Sequence, residues 1–584
     1  MNKISIQGER AWFNHAKFGM FIHLGLYSLM GENENAVRKG SKEAYAAYMH
    51  KFNPADFDAH EWVQLALDAG CTYIVITAKH ADGFCLWHTD QSSYNIMNTP
   101  FRRDLVKELS TACQGKIRFG IYYNGNTWLY DKERYGEFNV ETYPVFCREQ
   151  LSELMTNYGD ICELWFDHSD DLWPEEQIRD AVNMCRELQP SLVVNDRAVD
   201  TRNIPACVIG DFATPERHIP DYLEPEHVPL ECCDSIERKG WGYMSHCNSW
   251  STSELLRRLS KSCSIGANYL LNVSPTPAGV IRQEHCERMR SIGQWLQVNR
   301  DAIFNAGACP VVPLDNALQN YPVVGATTID GNTLYVHVHR ELSADSLFLA
   351  NISGTVKQAE VFGRVEQLDY YFQDHESSCS TGPDVPAGIV IEKMPDAASL
   401  PHIVKIEFES PPVINFEGIA ESRKKKIQVY SGQTIMLEPE DAWFTSECGI
   451  PWQEINHFSN GNVSIGHIIR YGVQCHWDLE NIPEAGHYKV FIDLGTMEAQ
   501  ADAEFSISLS GQSLKSLTVE NGWYDVPERM ELGTIEIKPG STTLTLKVDY
   551  LKSCFSDIHR IVLQPVKNME NRNEKSVNND AYSG

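Results

Sequence analysis

"CTYIVITAKHADGFCLWHTD", from Cys71 to Asp90, is the stretch on which the fold turns. Tyr73 to Thr77 form a short apolar, β-branched run bounded by polar residues, the pattern of a strand buried on both faces. Lys79, His80, Asp82 and Gly83 follow at once, so charge arrives where a buried strand ends. The same arrangement recurs outward along the chain. Strands are expected at "KFGMFIHLG" (17–25), "TYIVITA" (72–78), "IRFGIYY" (117–123), "ICELWFD" (161–167), "SLVVND" (191–196) and "NYLLNVS" (268–274). Between them "AHEWVQLALDAG", "RRDLVKELSTAC", "REQLSELMTNYG", "EEQIRDAVNMCRELQP" and "TSELLRRLSKSCS" repeat apolar residues at helical intervals. Strand, helix, strand at this spacing implies an α/β fold with a parallel sheet covered by helices. Without a G-x-G-x-x-G or P-loop turn, residues 1–305 fit a (β/α)8-like, TIM-type barrel.

Active sites in such barrels gather at the C-terminal ends of the strands. His23, His80, the pair Tyr122 and Tyr123, Asp167, and the pair Asp196 and Arg197 each close an expected strand. One such residue alone reads as a turn or helix cap; five strands in succession point to a functional rim.

Beyond residue 305 helical periodicity stops. "ATTIDGNTLYVHVH" (326–339) reads as a hairpin turning at Asp330–Gly331, and further short strands imply a β-sandwich over 306–420. The charged stretch "ESRKKK" (421–426) leads into a second expected sandwich, 427–567, containing "GHYKVFIDLG", "AEFSISLSG" and "STTLTLKVD". Residues 568–584 are polar enough to be expected disordered.

Composition narrows the partners. With 50 basic against 79 acidic residues among 584, the net charge of −29 repels a phosphate backbone, so nucleic acid is not expected. No run reaches the roughly 18 apolar residues of a membrane span. "MNKISIQGERAWFNHAKFG" has no apolar signal-peptide core, so a cytoplasmic location is expected from the chain as written, and a periplasmic or secreted one if a signal was removed. The seventeen cysteines, an odd number often set in apolar runs (Cys71, Cys85, Cys162, Cys207), read as reduced, mostly buried thiols. No paired C-x-x-C or H-E-x-x-H pattern indicates a metal cage, so metal catalysis is not expected. The sequons at Asn272, Asn351 and Asn462 read as chance matches. Homo-oligomerisation is left open.

Asp167 ends an apolar strand beside Trp165 and Phe166, and Arg197 one strand later can keep it ionised. An ionised carboxylate against aromatic walls is what a retaining glycosidase uses as nucleophile; a structural Asp–Arg pair reads equally well from spacing alone. The chemistry needs a second carboxyl group as proton donor. Glu216 in "GDFATPERHIP" and Glu231 in "VPLECCDSIERKGWGY" both fall in what reads as a long, proline-rich connection, and spacing does not choose between them. Trp87, Trp165, Trp241 and Tyr243 are sugar-stacking surfaces or core.

These blocks, with "WFNHAKFGMFIHLGLYS", "VITAKHADGFCLWHT", "FGIYYN", "ELWFDHS", "VVNDR", "GDFATPE", "WGY" and "ANYLLNVSPTPAGVI" in that order, resemble glycoside hydrolase family 29, the α-L-fucosidases, over residues 10 to about 305. The last β region looks loosely like a carbohydrate-binding module. The resemblance implies a retaining exo-glycosidase acting on a glycan or glycoside without metal or organic cofactor. It implies Asp167 as nucleophile, Glu216 as first and Glu231 as second choice of acid/base, and His23, Glu43, His80, Tyr122, Trp165 and Arg197 as sugar-binding residues. The chain departs from the family pattern at Leu24 and Ala81, where a tryptophan and a histidine are usual, and at Glu43, Ala44 and Tyr45, where "E-W-Y" is usual. Those departures imply a missing piece of pocket wall unless Trp87 or Tyr45 refills it. Three functions follow: an α-L-fucosidase, the same chemistry on a related L-sugar such as L-galactose, or a barrel that binds glycans without cleaving them.

Overall fold

The computed structural model describes residues 5–34, 41–125, 139–167, 173–199, 209–220, 227–246, 248–316, 323–364, 367–374, 386–395, 401–422, 424–447, 454–458, 461–466, 468, 471–552 and 554–566. The expected disordered tail, 568–584, and Cys207 lie outside them. The chain parts into two compact units, Met1–Ala420 and Glu421–Gly584.

The first unit opens with a seven-stranded, all-parallel, curled sheet: β1 (Phe18–Ile22), β2 (Tyr73–Lys79), β3 (Arg118–Asn124), β4 (Ile161–Asp167), β5 (Val193–Val194), β6 (Glu231–Ser235) and β7 (Asn268–Val273). Their order is β5-β4-β3-β2-β1-β7-β6. The apolar, β-branched runs form these strands because both faces are covered: every residue of β1, β2 and β7 is buried. Helices Ala59–Asp68, Leu105–Cys113, Thr142–Asn157, Glu175–Leu188 and Thr252–Ser264 fall where the 3.6-residue pattern predicts them. Asp58 and Asp104 cap the first two by accepting backbone N–H groups, and Ser251 with Glu254 forms a capping box on the last. Each such cap is worth about 1 kcal/mol.

β6 was not expected as a strand. "ECCDS" carries two carboxylates, yet all five residues are buried. Between β5 and β6, single parallel bridges pair Asn195 with Phe212, Ala213 with Leu230 and Glu216 with Cys233.

The rest of this unit is antiparallel. A five-stranded sheet (Val356–Val361, His402–Phe408, Thr333–Val338, Gly325–Asp330, Gly307–Cys309) and a four-stranded one (Asp369–Gln373, Gly388–Glu392, Ser346–Ala350, Pro313–Asp315) share one apolar core. Val336 and Ile406 enter it from the first sheet, Leu349 and Ile391 from the second. The hairpin forms one residue later than expected: Asp330 pairs with Thr333, leaving Gly331 and Asn332 as the turn.

In the second unit two six-stranded sheets again share a core. Val473–Ile482, Gly486–Gly495, Glu504–Leu509 and Gly540–Tyr550 supply much of it; along Glu504–Leu509, Phe505, Ile507 and Leu509 are buried between partly exposed Ser506 and Ser508. The expected connector at 421–426 is shorter than read, since a helix runs to Ser422 and a strand starts at Lys426.

Candidate active site

The period of two along β4 sends Glu163, Trp165 and Asp167 to one face. Asp167, last in the strand, accepts a hydrogen bond at 2.7 Å from the Tyr122 hydroxyl on β3 and one at 3.3 Å from Arg197 Nη1. Arg197 sits in the 3-10 turn after β5, Asp196–Ala198. Its Nη1 also donates to Glu216 Oε2 at 2.9 Å, while Nε and Nη2 donate to the Thr214 hydroxyl and carbonyl, at 2.8 and 2.9 Å. Burial works against the guanidinium's charge, but Glu216 and then Asp167 outweigh it, so its pKa rises. Glu216, the more exposed carboxylate, also accepts the Trp241 indole N–H at 3.1 Å. One nitrogen therefore bridges Asp167 and Glu216, one of the two candidate proton donors.

The histidines complete the floor. His80 stacks on the Tyr122 ring (5.6 Å, 9°), His23 stacks on Trp241 (5.3 Å, 29°), and the two imidazoles meet edge-on at 5.8 Å. Asn272 fixes the tautomer of His23. Its amide N–H groups donate to Ser235 Oγ and to the Trp241 carbonyl, so its oxygen accepts from His23 Nδ1 at 2.8 Å. Nε2 of His23 is left as the ring's acceptor. Burial, then neighbouring His80, lowers the His23 pKa well below its usual value. His80 Nδ1 is buried with no hydrogen-bond partner among the described residues. Asn272, the first sequon, is wholly buried.

Glu34, His80, Asp167, Glu216, Arg217, Gly240 and Trp241 line a cavity of about 290 Å³. Glu34 and Arg217 escaped the sequence reading. Glu34 accepts the backbone N–H groups of Trp241 and Gly242 at 2.7 and 2.9 Å. Arg217 lies over the Trp241 ring and donates to the carbonyls of Glu237, Arg238 and Gly240. Its adjacency to Glu216 was the one available signal.

Other expectations change. Glu231 is not in a connection: it starts β6, at the end of the strand opposite the rim, and is fully buried. It accepts the Tyr73 hydroxyl at 2.6 Å and the Trp165 indole N–H at 3.0 Å, and burial pushes its carboxyl up to about 7. Glu43 is exposed in the short helix Lys42–Ala46 and does not line the cavity. Tyr123 points away from the rim, its hydroxyl on Gln150 and its ring under the Lys79 ammonium at 3.9 Å. Neither proposed replacement for the missing wall is among the residues that line the cavity. Tyr45 is buried with its hydroxyl on Asp82 at 2.8 Å, and Trp87 is buried with its indole N–H on Glu153 at 3.3 Å. The three polar residues at the end of β2 and just beyond it thus separate: Lys79 faces the helix side, His80 the cavity, and Asp82 holds Tyr45 and the Phe84 backbone.

Residues 2–301 match the family model described as alpha-L-fucosidase. The tissue alpha-L-fucosidase of Rattus norvegicus is 30% identical over 360 residues, 56% of this chain and 76% of that protein. Alpha-L-fucosidase isoenzyme 1 from Paenibacillus thiaminolyticus superposes with a TM-score of 0.58 at 30% identity, over 69% of this chain and 99% of its own. A Bacteroides thetaiotaomicron family 29 alpha-L-fucosidase, solved as a trapped covalent intermediate with 2-fluoro-fucosyl fluoride, shares the fold with a TM-score of 0.60 at 21% identity, over 70% of this chain and 98% of its own. With its family motifs closing strand after strand around Asp167 and Arg197, the chain belongs to the α-L-fucosidases of glycoside hydrolase family 29.

Proposed function

We propose that the protein is a retaining exo-glycoside hydrolase that releases a terminal α-L-fucosyl residue through a covalent glycosyl–Asp167 intermediate. Asp167 attacks the anomeric carbon; Glu216 protonates the departing oxygen and then takes the proton from the water that ends the cycle. The observation that carries this is Arg197 Nη1, which holds both carboxylates at 3.3 and 2.9 Å. Two carboxyl groups that reach one donor stand close together, as the paired groups of a retaining glycosidase must. Glu231, shut inside the sheet on Tyr73 and Trp165, has no route to a leaving group. The trapped intermediate of the Bacteroides thetaiotaomicron relative supports the covalent route.

The bridges at 212, 213 and 216 support a closed (β/α)8-type barrel in which that segment stands as the missing stave, with two β-sandwiches following. At its rim the Nδ1 of His80, without a hydrogen-bond partner among the described residues, and the Nε2 side of His23 receive sugar hydroxyls beside the cavity wall that Trp241 forms.

A second reading, the same chemistry on a bulkier L-sugar such as an α-L-galactoside, is favoured by Leu24 and Ala81 together with a cavity lining that includes neither Tyr45 nor Trp87. The function is tested by incubation with 2-fluoro-fucosyl fluoride and peptide mapping. The label is expected on Asp167, and Asp167→Asn should lose several orders of magnitude in kcat. A label elsewhere refutes the assignment.

A further inference from the structure

Beneath the rim lies a second carboxyl pair that the proposed chemistry does not use. Glu163 of β4 and Glu231 of β6 are both fully buried, and after burial itself the neighbouring Glu231 charge is what pushes the Glu163 carboxyl up. Glu163 has no donor aimed at it from any other described residue, whereas Glu231 accepts from Tyr73 at 2.6 Å and Trp165 at 3.0 Å. Two ionised carboxylates cannot share a dry site, so one proton is held between them. It belongs on Glu163, whose O–H then supplies the third donor to Glu231.

The cluster has room made for it. A Cβ on Gly19 would fall 2.4 Å from the Tyr73 ring, and one on Gly120 would fall 2.9 Å from Glu163 Cβ. Neither tyrosine nor glutamate fits there unless the neighbouring strand carries glycine.

Trp165 connects this pair to the rim. The indole has one polar atom, and that N–H is spent on Glu231, which fixes the rotation of the ring. On its surface lie Tyr122, stacked at 5.5 Å and 19°, and the Arg197 guanidinium at 4.7 Å. Both side chains donate to Asp167. We propose that Glu163 and Glu231 are positioning residues: a carboxyl pair holding one proton that sets the plane of Trp165 and, through Tyr122 and Arg197, the aim of Asp167. This rests on Asp167 being the nucleophile.

The test measures covalent inactivation by 2-fluoro-fucosyl fluoride, which separates the rate at saturation from the inhibitor's affinity. Glu231→Gln should lower the saturated rate by about 10- to 100-fold with little change in affinity. Glu163→Leu should fall similarly, and Glu163→Gln, whose amide N–H replaces the lost O–H, should recover most of the loss. In a Trp165→Phe background Glu231→Gln should add nothing, because the link is already cut. An unchanged rate in Glu231→Gln, or an effect that adds in full to that of Trp165→Phe, overturns the proposal. If Glu231→Gln does not melt cooperatively, Tyr73→Phe removes a donor from the same carboxylate: a lowered rate supports the proposal and an unchanged one overturns it. A wild-type label mapped away from Asp167 defeats the nucleophile reading separately.

Discussion

Tyr122→Phe removes one hydroxyl and leaves the stacked ring in place, so it isolates the 2.7 Å bond to Asp167. A hydrogen bond to a charged group is worth about 1.5–3 kcal/mol. Its effect differs between the two steps. When Asp167 attacks, its charge disappears, so the donor is weaker in the transition state than before it and its loss costs little. When the glycosyl–enzyme breaks down, Asp167 is the leaving group and its charge returns, so the donor strengthens along the path. The full loss therefore falls on breakdown, roughly 10- to 150-fold. Arg197 at 3.3 Å remains to hold the carboxylate. With an activated aryl α-L-fucoside, kcat and KM should both fall while kcat/KM changes little, and rapid mixing should show a burst of about one aglycone per enzyme. Equal losses in kcat and kcat/KM without a burst would refute this reasoning, because the bond would then serve attack instead.

Glu216→Ala should lose far more activity on poor leaving groups than on activated aryl glycosides, and azide should restore turnover on the latter; the same behaviour in Glu231→Ala instead would move the proton donor. His23 should stay neutral, with its ring resonances unmoved in NMR from pH about 7.5 to about 5.5. Because its folded pKa lies below the ordinary histidine value of about 6.5, the unfolded chain binds the proton first, so this histidine's contribution to stability is present above that pH and is lost as pH falls below it. Denaturant melts should show that loss, and His23→Gln should lessen it. Ala81→His should raise the ratio of kcat/KM for matched α-L-fucoside over α-L-galactoside, and an unaltered ratio would remove the case for a widened pocket.

Much of this site can be read before folding because buried parallel strands are apolar until they end. Asp167, His80 and Arg197 stand out against "ELWF", "YIVITA" and "LVVN", and the structure brings them to one cavity or its edge. β6 fails that test for a physical reason. Its polar residues are satisfied by side chains on other elements, Tyr73 and Trp165 on neighbouring strands for Glu231 and Arg258 on the helix Thr252–Ser264 for Asp234, so nothing local marks "ECCDS" as buried. Glu34 is illegible for the same reason, since its partners are backbone groups some two hundred positions away. Tyr123 was legible: alternation along β3 places it opposite Tyr122, and the period of two should have separated them.

A single nitrogen bonded to both Asp167 and Glu216 has a consequence for the electrostatic work of turnover. In the proposed two-step route Asp167 begins as the anion while Glu216 carries the proton. After attack Asp167 is an uncharged ester and Glu216 has become the anion. Beside a fixed guanidinium the total never changes; one negative charge simply crosses from one arm of Arg197 Nη1 to the other and back. Creating or removing a net charge away from bulk water costs several kcal/mol. Shifting one between two acceptors of the same donor leaves the surrounding dipoles with almost nothing to rearrange.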